Sequence, residues 1–91
     1  MHPRHYVRRI KALQAPRVIS REITNDSIMF ALRDHITATL YADHEAPVGH
    51  DEATISVKVN RRIVATFHLY RMDENGFNLV SAYLAGIREI F

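Results

Sequence analysis

Ninety-one residues, 47% of them apolar and 24% charged, are enough for one ordinary core and too few for two, so the chain reads as a single domain, 1–91. The absence of cysteine excludes disulfide frameworks, thiolate metal sites and cysteine nucleophiles. The formal charge of +2 conceals an imbalance: residues 1–21 carry Arg4, Arg8, Arg9, Lys11, Arg17 and Arg21 with no acid, while residues 22–91 set the other six basic residues against all ten acids.

The first element expected is a helix over about 4–14. Pro3 suits a first helical turn, and Pro16 pushes Ala15 into extended geometry. Tyr6, Ile10 and Leu13 fall on one side of it, with Arg4, Arg8 and Lys11 opposite. RVISREIT, residues 17–24, is short and rich in β-branched residues, which predicts a strand. Asn25, Asp26 and Ser27 then offer N-caps for a helix over about 27–41, in which Ile28, Met29, Leu32, Ile36, Thr39 and Leu40 recur at helical spacing.

Residues 42–53 break every period around Pro47 and Gly49 and read as a loop. A hairpin over about 54–72 follows, with Ile55, Val57 and Val59 in one arm, a turn at Asn60 to Arg62, and Ile63, Ala65, Phe67 and Leu69 in the other. The closing stretch, DENGFNLVSAYLAGIREIF, admits a turn into a further strand or a helix over about 79–91. The helix is the better reading, because Leu79, Val80, Tyr83, Leu84, Ile87, Ile90 and Phe91 form one stripe behind an Asn78 cap. Gly86 opposes it by only about 1 kcal/mol. The expected class is therefore α+β: a small antiparallel sheet with helices on one side.

The basic helix face is the clearest candidate for function. Arg4, Arg8, Arg9 and Lys11, followed by Arg17 and Arg21, can meet successive phosphates or an acidic protein surface. The plainer alternative is that these cations neutralise the acidic remainder inside the fold. No helix-turn-helix, RNP or zinc-finger signature accompanies them. In the central loop, Asp43, His44 and Glu45 precede His50, Asp51 and Glu52; the two histidines are weak metal candidates, and no metal or other cofactor is expected. His68, Tyr70, Lys58 and Arg62 together supply a base, an acid and cations of the kind that cleave RNA. Finally, Tyr83, Ile87 and Phe91 offer an apolar contact, either with the chain's own core or with a second subunit in a homodimer or another protein.

In size, basic charge and helices ahead of a β-meander, the chain resembles, as a class, the small endoribonuclease toxins of the RelE kind. That resemblance implies RNA cleavage as the alternative function. The leading expectation is a non-enzymatic binding module that inhibits or regulates a nucleic acid, or a protein that handles one, by occlusion. Small proteins of this character are often encoded by phages and other mobile elements. With no long apolar run and no signal-peptide core after the basic N-terminus, the expected location is the cytoplasm, without a membrane partner.

Overall fold

A computed structural model describes residues 3–24, 26–42, 53–70 and 72–91. Helix α1 (Pro3–Arg9) leads through a 3-10 turn (Lys11–Leu13) into five strands: β1 (Ser20–Ile23), β2 (Ser27–Arg33), β3 (Ile36–Ala42), β4 (Ala53–Val59) and β5 (Arg62–Leu69). Helix α2 (Glu74–Ile90) closes the chain. Each strand pairs antiparallel with the next, giving a meander in the order β1-β2-β3-β4-β5. The class is α+β, as expected. No helix is long and apolar enough to cross a membrane.

The main correction concerns 27–41, where the expected helix is the β2–β3 hairpin. Ile28, Leu32, Ile36 and Leu40 are spaced by four, which satisfies a helical face and, four being twice two, a strand face equally well. Long-range pairing decides. Phe30 and Ala38 fill the intervening even positions of the buried face, and Phe30 pairs with Ala38 across the hairpin. Of the residues read as N-caps, Asn25 lies outside the described residues, while Asp26 and Ser27 stand between β1 and the start of β2, where the Thr24 N–H donates to the Ser27 carbonyl at 2.8 Å. Caps and turns draw on the same residue types, so this signal was ambiguous as well.

The hairpin expected at 54–72 is present as β4 and β5, joined by Asn60 and Arg61 with φ of 50° and 68°. Two left-handed residues make the two-residue turn whose twist matches the flanking strands. A register shift beside Val57 and Lys58 places Ile63 opposite Lys58, so Ile63 leaves the apolar face assigned to it and is exposed. The strand expected at 17–24 is β1, Ser20–Ile23, which pairs with β2.

The C-terminal segment is helical and starts earlier than expected. Asp73, not Asn78, is the cap: its side chain accepts from the Gly76 N–H at 2.8 Å. Phe77, Val80, Leu84 and Arg88 form the buried face. Arg88, expected outside, is thus inside, whereas Leu79, Tyr83 and Ile90 of the expected apolar stripe stay exposed.

Tyr6, Ile10 and Leu13, the even positions of β2 and β3, the odd positions of β4, and Phe77, Val80 and Leu84 of α2 make one continuous core. Fully burying each Ile or Leu contributes about 1.5–3 kcal/mol, which is why a seven-residue helix persists here and would not alone. The opposite sheet face carries Ser27, Thr37, Thr39, Thr54, Ser56 and Thr66, and the alternation of burial along β2, β3 and β4 leaves it outside the core.

Candidate polyanion-binding groove

Packing divides the six cations at the front of the chain into two groups. Arg4 and Arg8 lie one turn apart on α1, and Arg21 stands on β1 directly opposite Phe30, its guanidinium 5.5 Å from the ring centroid. The three line a groove of about 200 Å³ between α1 and β1, floored by Val7, Ile23, Ile28 and Phe30. None of the described lining residues is acidic. Lys11 is exposed beyond the groove, and its backbone N–H donates to Ser81 Oγ at 3.0 Å.

The second group is neutralised within the fold. Arg9 pairs with Glu74 and lies over the Phe77 ring, 4.7 Å from its centroid. Arg17 Nη1 donates to Glu89 Oε1 at 2.7 Å. Among the described residues, the attraction between basic front and acidic remainder therefore holds for Arg9 and Arg17. Nothing local in the sequence signals it, because the partners lie 65 and 72 residues away. Glu74 and Glu89 share the flank of α2 that faces the 3-10 turn, which brings them to Arg9 and Arg17.

Glu89 is also reached by Arg33 at 3.9 Å and Arg88 at 3.3 Å. Desolvation works to raise its carboxyl pKa, but the charge of Arg17 and the hydrogen bonds from Arg88 and Arg17 outweigh it and hold the group below its ordinary value. The same corner ties down the end of α2. Arg33 Nε donates to the Arg88 carbonyl at 2.6 Å, and His35 Nε2 hydrogen-bonds to the Phe91 oxygen at 2.6 Å. Cations at a helix C-terminus satisfy carbonyls that have no partner within the helix and complement its dipole. Sequence reasoning missed both anchors, because it read residues 27–41 as a helix, whereas Arg33 ends β2 and His35 lies in the turn to β3.

The residues of the RNA-cleavage reading are not brought together. His68 pairs with Thr54, and Lys58 lies four residues further along β4, about 14 Å at strand rise. Tyr70 continues past the His68 end, whereas Arg62 opens β5 beside Val59, at the Lys58 end. A cleft of about 480 Å³ does gather Lys58, Arg61, His35, Thr37, Asn60 and Asp34 where the β2–β3 and β4–β5 turns meet. Asp34 offsets one of its cations, and the His35 ring is engaged with Phe91.

His44 and His50 fall outside the described residues; among the described residues, no group of three or more His, Asp or Glu side chains could hold a metal ion. Of the proposed apolar contact, Tyr83 and Phe91 are exposed and Ile87 is half-buried against the core. Compared with models of known protein families, with curated proteins and with solved structures, the chain finds no match.

Proposed function

We propose that this protein is a non-enzymatic binding module whose α1–β1 groove engages nucleic acid, or the acidic surface of a protein that handles it, and acts by occlusion. The observation that carries this reading is the convergence of Arg4, Arg8 and Arg21, from two separate elements, on one groove with no acid among its described lining residues. Guanidinium groups pair with phosphate oxygens in bidentate fashion, and their stacking on aromatic faces leaves them weakly hydrated and ready for an anion. An apolar floor beneath such a rim accommodates a base or an apolar side chain between two anionic groups. The dispersal of His68, Lys58 and Arg62 along β4 and β5 favours binding over RNA cleavage, since general acid-base catalysis needs its groups within hydrogen-bond reach of one substrate. Occlusion of a partner, as in inhibitors carried by phages and other mobile elements, needs only contact area and complementary charge.

Binding of fluorescent single-stranded and duplex oligonucleotides, measured by anisotropy across a salt series, tests the reading. Wild-type protein is expected to show affinity that falls steeply with salt. The pair Arg8→Glu and Arg21→Glu is expected to weaken it at least tenfold and to flatten the slope of log K against log salt by roughly two. Unchanged affinity and slope in the double variant would remove the groove as the contact surface. Cleavage of the oligonucleotide by wild-type protein in the presence of chelator would replace occlusion with the nuclease reading.

A further inference from the structure

The apolar stripe of α2 is wider than the face the core uses. Phe77, Val80 and Leu84 are buried, yet Leu79 and Tyr83 remain 58% and 55% exposed. At 100° per residue, Leu79, Tyr83, Ile87 and Ile90 occupy the flank opposite Glu74 and Glu89, whose partners Arg9 and Arg17 mark the side facing the N-terminal segment. That flank therefore overlooks β5, and the rings of Tyr83 and Phe67 meet with centroids 5.9 Å apart. Strand β5 is itself an edge, with β4 as its one partner. Its five residues from Ile63 to Phe67 carry no charge, and Ile63 and Val64 are 61% and 43% exposed.

Folded proteins protect long edge strands with prolines, inward charges, bulges or a covering element. Among the described residues the one such device is the bulge near the start of β5, and the adjoining helix adds apolar surface instead of charge.

We infer that this face binds a second copy of the chain, with β5 pairing antiparallel to its counterpart across a two-fold axis and the α2 flanks meeting beside it. The lack of charge from Ile63 to Phe67 suits this occupant, since two copies of the strand meet without like charges opposed, and an antiparallel pairing sets Arg61 and Arg62 of the two copies at opposite ends. The arrangement is closed at this face, since each β5 edge is used once and no further copy can add there. Size agrees as well. A face as long as β5 or α2, about 26 Å, and two layers deep, about 20 Å, offers on the order of 500 Å² per copy. Two copies then bury on the order of 1,000 Å², the lower bound of a specific interface.

Sedimentation of the full chain over a concentration series provides the test, with a dimer expected at twice the chain mass of 10.5 kDa. Leu79→Glu combined with Tyr83→Glu, both on exposed positions, is expected to shift the protein to monomer while its circular dichroism is unchanged. Because the chain has no cysteine, a second measurement is independent of that variant. Thr66→Cys on β5 is expected to cross-link into dimers with a short bismaleimide, and Ser20→Cys on β1 is not. A wild-type monomer at about 100 μM, a range in which even weak specific dimers form, overturns the inference and assigns the face to a different partner. Cross-linking through Ser20→Cys but not Thr66→Cys overturns it too, by moving the interface to the other edge.

Discussion

The two edges of the sheet are built on opposite principles. Strand β1 is four residues long, exposed throughout, carries Arg21 and Glu22 at its centre and follows Pro16 by a few residues. Strand β5 is twice as long, uncharged between Arg62 and His68, and flanked by the apolar side of α2. A short charged strand offers few backbone groups to a neighbouring strand and keeps its cations for ligands, whereas a long apolar one invites pairing. On the proposed readings, the two edges separate an electrostatic surface from an adhesive one.

The strongest way to break that contrast is from beneath. Phe30 is buried next to β1 and underlies Arg21, so Phe30→Ala should cost about 3–5 kcal/mol. Denaturant unfolding is expected to report that loss, and hydrogen exchange to show protection lost in β1 and β2 before β4 and β5. A smaller effect sharpens the contrast. Reversing Arg8 and Arg21 should cost at least tenfold in polyanion affinity, about 1.4 kcal/mol, while sedimentation stays unchanged. A change in oligomeric state in that variant would show that the two edges are coupled.

Two lesser effects concern α2, which joins the two sides. A Cβ at Gly86 meets nothing within 4 Å, so Gly86→Ala should stabilise the helix by up to about 1 kcal/mol, raising the melting temperature by a few degrees. Clashes would appear instead as a lowered melting temperature. The Glu89 carboxyl has its pKa depressed in the folded chain, so it binds protons less readily there than in the unfolded chain. Its contribution is present above the unfolded pKa and is lost as pH falls through the folded one. Glu89→Gln should therefore flatten the acid limb of the stability–pH curve slightly, with an effect kept small by solvent screening of the half-exposed carboxylate. An identical acid limb in the variant would mean that the Arg17 pair contributes nothing.

The same contrast explains which parts of the fold were legible in the sequence. Tyr6, Ile10 and Leu13, bounded by two prolines, point to a helical turn with one buried side because period and breakers agree. The β4–β5 alternation and the α2 stripe are equally readable, since each runs long enough for one period to exclude the other. Ile28 to Leu40 were not, because their spacing of four serves both periods and the N-cap residues double as turn formers. In the candidate site, the cations at the front were visible as composition, but Ile23, Ile28 and Phe30 as their apolar floor were not. Recognising that floor requires knowing that β1 and β2 pair.

Composition and local period alone therefore point to an α+β fold, its N-terminal basic segment, its central hairpin and its amphipathic C-terminal helix. Tertiary structure decides that residues 27–42 form two strands, because burial of Phe30 and Ala38 on the same face as Ile28 and Leu40 is available only to a sheet. It also decides how two of the front cations are engaged. Arg9 and Arg17 meet Glu74 and Glu89 only when α2 packs beside the N-terminal segment, and pairings across 65 and 72 residues leave no trace in local sequence.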